Sequence, residues 1–410
     1  MFLFYNFLGL IILIIYPLIF FIRFLNSKEE LNRFFEKLSI YKKKNSNKTL
    51  WIHAVSIGEV LSIMPMVKQL DKNKKINQIL ITTTTKSSTL ILSKFKFKKV
   101  IHKYLPLDIN FITKKFINYW KPNVAIFVDS EIWPNFYFNL EKKKIPIILF
   151  NARITSKSFS RWKKFTSFSN FIFSKITLAF PQNKETIKYL KNLGTNKIKF
   201  LGNLKFYNEE KNFDLNKKVF SDLKKRKIWC AVSTHPTEEI KVGSIHKSFN
   251  LKNKNILTIV IPRHVERSKS ILNDFKNMGL RTQRHSLTKK IDKDTDIYLV
   301  DTYGDTEKFC YFSNIVFIGG SFINHGGQNP LEAVRLGNKI LHGPSVENFK
   351  EVYEVLEKNK ISKKVNSNNE LGTLLLKTIN SKKKLKVNKV INSIGKKIFK
   401  NYLEEIKKFI

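Results

Sequence analysis

The chain has 410 residues, of which 42% are hydrophobic and 26% are charged. This apolar fraction excludes a disordered chain, and the length predicts about two domains. Lysine and arginine number 75 against 32 aspartate and glutamate, a net charge of +43 that favours an anionic partner. Only 10 of the 75 are arginine, so a lysine bias spread over the surface explains the charge equally well, and arginine-dependent nucleic-acid reading is disfavoured.

Residues 2–22 carry no charged side chain, and the first ionised residue is Arg23. At 1.5 Å per residue, such a helix reaches about the 30 Å of a bilayer core. The positive residues that precede the apolar stretch of a signal peptide are missing, and basic residues follow it, so the remainder is predicted to be cytoplasmic. The segment is predicted to be a membrane anchor that spans the bilayer or lies at its surface; the alternative is a buried core helix.

Beyond residue 48, short apolar runs alternate with amphipathic stretches, as in parallel sheets with crossover helices. The predicted strands are Leu50–Val55, Gln78–Thr83, Val100–Tyr104, Asn123–Val128, Ile145–Asn151, Leu178–Pro181, Lys227–Ser233, Leu257–Pro262, Ile297–Val300, Asn314–Ile318 and Lys339–His342. Helices are predicted at Val60–Leu70 and Ser87–Phe95.

The series is interrupted by a polar stretch, which divides the chain into two halves. The predicted division is a membrane anchor at 1–25, a first Rossmann-like domain at 26–205, a linker at 206–222, a second Rossmann-like domain at 223–380 and a Lys-rich, solvated helical segment at 381–410. The fold class is therefore α/β, with two Rossmann-like domains facing across a cleft. The chain contains neither a GxGxxG nor a GxxxxGK[ST] motif, which disfavours a nicotinamide dehydrogenase and a nucleoside triphosphatase. Cys230 and Cys310 are far apart in sequence and predict neither a disulfide nor a zinc site.

Acidic residues follow two predicted strands of the first half. Glu59 comes after a Ser56-Ile-Gly58 turn, where a carboxylate can serve as a general base; the alternative is an acid favoured by the helix dipole. Asp129 and Glu131 follow the fourth strand and either line the same edge of the sheet or form a charged helix start.

Arg153 ends the next strand and leads into a segment in which Arg161 and lysines alternate with aromatic residues. The pattern suits an interfacial helix on an anionic membrane, or an ordinary amphipathic helix with a basic outer face.

Phosphate-binding side chains follow strands of the second half. Ser233, Thr234 and His235 follow one strand, and Arg263 and His264 follow the next. Hydroxyl donors, a guanidinium and helix N-terminal amides suit a phosphate, although a single histidine at a strand end is more often structural.

A glycine-rich segment, Gly319–Glu332, follows a later strand of the second half. Its glycines predict backbone amides that approach a ligand phosphate, with Asn329 capping a helix that begins at Pro330. Glu332 either accepts hydrogen bonds from ribose hydroxyls or closes a capping box. The remaining candidates of this segment are Gly320, Ser321, Gly326 and Gly327.

In order along the chain, these segments resemble the transferases of 3-deoxy-D-manno-oct-2-ulosonic acid (Kdo). The matching motifs are HAVSIGE, TTTT, YLPLD, DSEIWPN, NAR, GNLKF, STHPTEE, PRH, DTYGD, GGSFINHGGQNPLE and GPSVENFKE. The resemblance implies an inverting, metal-independent glycosyltransferase of the two-Rossmann GT-B type, which moves Kdo from CMP-Kdo onto a lipid A precursor at the cytoplasmic face of the bacterial inner membrane. It implies that the domain at 26–205 binds the acceptor and that the domain at 223–380 binds the CMP-sugar. It also implies no cofactor and no nucleic-acid partner.

Site residues are carried over by the same resemblance. Glu59 matches the family's general base, and Glu131 matches the second acid of its acidic-x-acidic Trp-Pro motif. Lys205 of the GNLKF motif is implied to neutralise charge. The residues implied to hold the substrate or CMP are Ser233, Thr234, His235, Arg263, His264, Gly320, Ser321, Gly326, Gly327, Asn329, Glu332 and Lys205. Those on the acceptor side are Ser56, Gly58, Asp129, Arg153 and Arg161.

The chain departs from the family pattern at three places. Lys86-Ser87-Ser88 stands where Pro-Thr-Gly is usual, Asp129 replaces a glutamate, and Asn324-His325 replaces Glu-Arg. Two alternative functions remain: another membrane-associated GT-B enzyme that uses a UDP-sugar, and a membrane-tethered basic protein that binds nucleic acid.

Overall fold

The computed structural model describes residues 1–26, 29–41, 49–207, 209, 218–250, 255–379 and 388–410. It contains two compact units: the first comprises Met1–Glu209 and Ile394–Ile410, and the second Glu210–Ser393. Residues 210–217 of the predicted linker lie outside the described part. The last residues of that linker form a helix, Lys218–Leu223, whose Val219, Phe220 and Leu223 are buried.

The first unit contains a six-stranded parallel sheet covered by helices. Its strands are β1 (Thr49–His53), β2 (Gln78–Thr83), β3 (Val100–Tyr104), β4 (Pro122–Val128), β5 (Ile147–Ala152) and β6 (Leu178–Pro181). Its helices are α1 (Phe2–Leu25), α2 (Ile57–Asp71), α3 (Lys86–Leu92), α4 (Asn110–Trp120), α5 (Pro134–Lys142), α6 (Ser156–Lys163), α7 (Thr166–Phe173) and α8 (Lys184–Asn192), with 3₁₀ helices at Leu31–Leu38 and Leu204–Phe206.

The strand order in this sheet is β3-β2-β1-β4-β5-β6. All residues of β1, β2 and β5 are buried, as expected for parallel strands covered on both faces. The chain moves outwards from β1 in one direction and from β4 in the other, so the order reverses between these two strands. Ligands of open α/β sheets bind at the carboxyl ends of strands beside such a switch point.

The second unit contains a seven-stranded parallel sheet. Its strands are β7 (Lys227–Thr234), β8 (Ile256–Pro262), β9 (Thr282–Arg284), β10 (Ile297–Leu299), β11 (Ile315–Ile318), β12 (Lys339–His342) and β13 (Ser362–Lys364). Its helices are α9 (Lys218–Leu223), α10 (Glu238–Asn250), α11 (Ser268–Asn277), α12 (Thr306–Tyr311), α13 (Leu331–Arg335), α14 (Lys350–Lys358) and α15 (Asn368–Ile379), with 3₁₀ helices at Val265–Arg267, His285–Leu287 and Glu347–Phe349. The order β13-β12-β11-β7-β8-β10-β9 places its switch point between β7 and β11.

The sequence predicted a solvated C-terminal helix. Its described part is helical, but the prediction that it is solvated is wrong, because one face is buried. Helix α16 (Asn388–Lys407) packs one face on the first unit from Ile394 onwards. Tyr402 is fully buried, its ring lies 4.5 Å from that of Phe150, and its hydroxyl donates to the carbonyl of Gly202 at 3.0 Å. The buried stripe of this helix also includes Ile398 and Ile406. The many lysines of the segment made this apolar stripe difficult to recognise in the sequence.

The apolar N-terminal segment forms helix α1, with Pro17 inside it. Within the described residues it is the one helix that is long and apolar enough to cross a membrane, and 17% of its most apolar stretch is buried. The alternative of a buried core helix is therefore disfavoured, because most of its side chains are exposed.

Candidate active site

The switch point of the first sheet gathers the acidic residues that the sequence predicted. His53 at the end of β1 pairs in register with Phe127 near the end of β4. Glu59 follows β1, and Asp129 and Glu131 follow β4. The structure brings the three carboxylates near enough for the charges of Asp129 and Glu131 to act on Glu59.

Glu59 is fixed by the start of α2. Its Oε1 atom accepts from the hydroxyl of Ser56 at 2.7 Å, its Oε2 atom accepts from the amide of Val55 at 2.8 Å, and its own amide donates to Ser56 Oγ at 3.2 Å. The helix-start alternative for Glu59 is thus also observed. Burial raises the pKa of Glu59. The negative charges of Asp129 and Glu131 raise it further, and the hydrogen bonds from Ser56 and Val55 oppose the rise. A carboxylate with a raised pKa is a stronger general base when ionised.

Gly58 does not make the tight turn that the sequence suggested. It lies in the first turn of α2 without a positive φ, and a Cβ there would meet only Ser56 Oγ, at 4.0 Å. Ser56 itself is exposed and holds Glu59.

Glu131 is held by two ring nitrogens. Its Oε2 atom accepts from the indole N–H of Trp133 at 2.9 Å and lies 3.3 Å from Nε2 of His53. His53 is fully buried, and its other ring nitrogen lies 2.9 Å from Thr82 Oγ1. This chain of contacts ties Glu131 to β1 and β2. His53 was not singled out from the sequence because it lies within a strand.

Asp129 sits on a backbone with φ of +64°, a conformation that non-glycine residues adopt rarely. Burial raises the pKa of its carboxyl, while the positive charges of Lys205 and Arg153 oppose the rise. Lys205 Nζ lies 3.6 Å from Asp129 Oδ2. Lys205, assigned to the CMP-binding set by resemblance, therefore balances an acid of the first unit.

The basic-aromatic segment packs mainly as an amphipathic helix. Phe159, Trp162 and Phe168 pack against the core of the first unit, whereas Arg161 and Phe165 are exposed. The core thus accounts for three of the four aromatic residues, and the exposed cations remain free to meet an anionic surface.

In the second unit, a buried carboxylate occupies the amides of the predicted phosphate loop. Glu238 is fully buried, and its Oε2 atom accepts from the amides of His235 at 3.0 Å and Gly320 at 2.7 Å. Its Oε1 atom accepts from the amides of Ser321 at 3.1 Å and Phe322 at 3.0 Å. Glu238 thus joins the loops after β7 and β11 and takes the amides that the sequence assigned to a ligand phosphate.

The other glycines of this segment also have internal partners. The amide of Gly326 donates to Ser345 Oγ at 2.8 Å, and that of Gly327 donates to the carbonyl of Gly320 at 2.8 Å. Ser321 Oγ accepts from the amide of Gly343 and donates to the carbonyl of Ile318. These residues therefore shape the loop.

Three imidazoles meet beside this loop. The ring of His235 lies 4.2 Å from that of His325 and 6.0 Å from that of His264. Its Nε2 atom lies 3.2 Å from the side-chain Nε2 atom of Gln328. Burial lowers the pKa of His235 to about 4, and the neighbouring cationic groups, including Arg263, lower it in the same direction.

A buried hydroxyl beside the imidazoles has no bonding partner within the described part of the chain. Thr234 is fully buried, and its Oγ1 atom accepts and donates no hydrogen bond there. Ser233, the preceding residue, has a φ of +55°. Burying a hydroxyl such as that of Thr234 without a hydrogen-bond partner costs free energy, which a ligand that bonds to it would recover.

Asn329 and Glu332 lie at the start of α13. Asn329 Oδ1 accepts from the amide of Leu331 at 3.1 Å, and Glu332 is exposed in the first helical turn. The assignment of Glu332 to the ribose stays a prediction. The described residues contain no group of three or more histidine, cysteine, aspartate or glutamate side chains suited to a metal, and independence of metals also stays a prediction.

Sequence reasoning included Glu238 only as part of the STHPTEE motif, without a role, and gave His325 only as a departure from the family pattern. It likewise gave no role to Asp108 of the YLPLD motif, whose carboxylate accepts from the amides of Asn135 and Phe136 at the start of α5. Burial raises the pKa of Asp108 to about 6. No spacing rule marks these residues, since their roles arise from contacts between distant segments.

Comparison with known proteins agrees with the motifs. The family described as 3-Deoxy-D-manno-octulosonic-acid transferase (kdotransferase) matches residues 32–208. A 3-deoxy-D-manno-octulosonic acid transferase of Rickettsia bellii is 34% identical over 99% of each chain, and one of Haemophilus influenzae is 32% identical over 75% of this chain and 73% of its own.

The fold has well-matched neighbours among solved structures. A UDP-GlcNAc 2-epimerase from Neisseria meningitidis superimposes with a TM-score of 0.56 at 12% identity, covering 88% of this chain and 99% of its own. This likeness confirms the predicted GT-B type of fold. Given the full-length relatives and the shared motifs, the chain belongs to the 3-deoxy-D-manno-octulosonic acid transferase family and is a glycosyltransferase.

Proposed function

We propose that the protein transfers Kdo from CMP-Kdo to the lipid A precursor lipid IVA with inversion of the anomeric configuration. The observation that carries this proposal is Glu59, a half-buried carboxylate of raised pKa beside two further acids at the switch point of the first sheet. The names of the relatives supply the transferred sugar.

Glu59 is the proposed general base. Its carboxylate takes the proton of an acceptor hydroxyl as the oxygen attacks the anomeric carbon of Kdo from the face opposite CMP. The bond from that carbon to the phosphate oxygen breaks, and CMP leaves with the electron pair. Glu131, held by His53 and Trp133, is the second acid, and Asp129 with its partner Lys205 supports the same edge.

The second unit is the proposed donor site. His235, Arg263 and His264 provide cationic or donor groups for the CMP phosphate, and Thr234 offers a hydroxyl whose bonding is incomplete among the described residues. Gly320, Ser321, Gly326 and Gly327 set the shape of the loop, because their amides donate to acceptors within the protein. Asn329 and Glu332 are proposed to contact the nucleoside.

We assign the acceptor to the first unit. Arg153 and Arg161 supply positive charge for the phosphates of a glycolipid, and charge-assisted contacts of this kind suit phosphate oxygens. Helix α1 is the proposed anchor that keeps the enzyme at the cytoplasmic face of the inner membrane, on an anionic leaflet.

The test is incubation of the purified full chain with CMP-Kdo and lipid IVA, followed by mass spectrometry of the lipid. One discrete mass increment per transferred Kdo supports the proposal. Turnover with UDP-sugars and none with CMP-Kdo would overturn it. Salt-dependent RNA or DNA binding that survives Glu59→Gln, with no transfer activity, would favour a nucleic-acid-binding protein. Full activity in excess EDTA is expected, because the proposed leaving group is a monophosphate stabilised by protein cations.

A further inference from the structure

Helix α1 presents one continuous stripe to the rest of the first unit. Its buried and half-buried residues are Phe2, Tyr5, Asn6, Gly9, Leu13, Tyr16, Phe20 and Arg23. Most successive members are three or four positions apart, which is the spacing of a single helical face. The stripe runs from the first turn to the last, so the helix does not leave the protein at either end.

Specific contacts hold the N-terminal end of this stripe. The ring of Phe2 lies 4.7 Å from Phe138 and 5.4 Å from Phe171. The hydroxyl of Tyr5 donates to Asp108 Oδ2 at 2.8 Å. Asp108 also accepts from two amides at the start of α5. Asp108 therefore links α1 to α5, the helix that follows Glu131.

The C-terminal end is held in the same way. The rings of Tyr16 and Phe20 lie 5.9 Å and 4.7 Å from that of Phe34. Arg23 Nε donates to Glu29 Oε1 at 2.8 Å, and the Glu29 side chain is almost fully buried. Charged groups therefore lie beside α1 at both ends.

The opposite face of α1 is apolar and exposed. It comprises Leu3, Phe7, Leu10, Ile14, Leu18, Phe21 and Leu25, which we call the outer face. Leu31, Phe35 and Phe111 of the same unit are also exposed. Two cations flank its N-terminal end: Lys142 Nζ lies 4.4 Å from the Phe138 ring, and Lys175 Nζ lies 4.0 Å from the Phe171 ring.

We infer that α1 lies in the plane of one leaflet, docked along its length on the first unit, with its outer face in the lipid, and does not span the bilayer. Its 24 residues measure about 36 Å, so a spanning orientation would carry Asp108 or Glu29 and their partners into the hydrocarbon. In the plane, both charged ends stay at the level of the headgroups, where lysine and arginine meet anionic lipids. This inference does not depend on the transferred sugar.

The test measures the depth of three outer-face positions. Leu3→Cys, Ile14→Cys and Leu25→Cys are made in the full chain, where Cys230 and Cys310 are buried, and labelled with a fluorophore. The labelled proteins are reconstituted into phosphatidylethanolamine and phosphatidylglycerol vesicles that carry nitroxide quenchers either shallow or deep in the acyl chains. Ile240→Cys, exposed in the second unit, is the matched control, and a cooperative thermal melt followed by circular dichroism verifies that each variant is folded.

An in-plane helix predicts the same ratio of shallow to deep quenching at positions 3, 14 and 25, and no quenching at position 240. A spanning helix predicts that position 14 is quenched mainly by the deep nitroxide and the two end positions by the shallow one, which would overturn the inference. Absence of quenching at all three positions in folded protein would also overturn it, because the outer face would then be covered by protein.

Discussion

The two sheets use the same structural position for opposite chemistry. At the switch point of the first sheet, Glu59, Asp129 and Glu131 gather, and burial raises the pKa of Glu59 and Asp129. At the switch point of the second sheet, burial lowers the pKa of His235, and the surrounding histidines and arginines lower it further. The first arrangement suits removal of a proton, and the second suits an anion.

Each site also contains a carboxylate that accepts hydrogen bonds from backbone amides. Glu238 accepts from four amides in the second unit. Glu59 accepts from one amide and one hydroxyl, and it remains half-buried rather than enclosed. The number of donors around a carboxylate therefore distinguishes a structural acid from one that can still take a proton.

The largest expected effect is that of Glu59→Gln. Loss of a general base should lower the transfer rate by about 10²–10⁴-fold. The dissociation constant for CMP should stay within about twofold of the wild-type value, because the donor contacts lie in the second unit. Isothermal titration with CMP and a transfer assay measure the two parameters. Glu141→Gln, an exposed acid paired with Lys175, is the matched control. Near-normal transfer by Glu59→Gln would show that the first site is not catalytic.

Glu238→Gln should weaken the donor site without touching the acids of the first unit. The substitution keeps the side-chain shape, removes the charge and turns one acceptor into a donor that faces backbone amides. Loss of such charged hydrogen bonds predicts a rise of about tenfold in the CMP dissociation constant, with a lower melting temperature. Glu354→Gln, on the exposed side of α14, is the control. Unchanged CMP affinity would show that the contacts of Glu238 do not contribute to CMP binding.

His235→Gln sharpens the charge assignment of the second site. Its pKa is lowered to about 4, so the imidazole is neutral throughout pH 5.5 to 8, and the variant loses a contact rather than a charge. We expect CMP affinity to fall by roughly fivefold, with a constant ratio to wild type across this range. Titrations at several pH values test this. A ratio that grows towards pH 5.5 would mean that His235 binds CMP as a cation.

Asp129→Asn should produce the smallest change, a shift in a pH profile. Transfer activity falls as pH decreases through the pKa of Glu59, because the base becomes protonated. The negative charge of Asp129 raises that pKa, so its removal should move the acid limb of the kcat/KM profile to lower pH. The limb of Glu141→Gln should not move. A shift to higher pH would contradict the proposed coupling of these acids.

Sequence patterns predicted the sheets well because buried parallel strands are nearly continuous apolar runs. Gln78–Thr83, Leu178–Pro181 and Lys339–His342 are confirmed residue for residue. Val100–Tyr104 is also confirmed, although it is an edge strand in which only Tyr104 is buried. The short strands Thr282–Arg284 and Ser362–Lys364 escaped notice because polar residues form them at the two edges of the second sheet.

The site was predictable as a set of strand ends but not as a set of contacts. Glu238 and Glu239 are adjacent and chemically alike in sequence, yet one binds backbone amides and the other pairs with Arg267. The glycine-rich segment predicted amides that approach a ligand phosphate, but the amides of Gly320 and Ser321 donate to a buried carboxylate from a segment about 80 residues earlier. Position along a strand is encoded locally, whereas partners across the sheet are not.

Hydrogen–deuterium exchange of the full chain with and without CMP tests most directly whether the second unit binds CMP while the first unit contains the catalytic acids. We expect CMP to protect the segments that contain Thr234–Glu238, Arg263–Arg267 and Gly319–Gln328. Exchange in the segments that contain Glu59 and Asp129–Glu131 should change little. Protection centred on those acidic segments, with none in the second unit, would show that CMP binds at the first site instead.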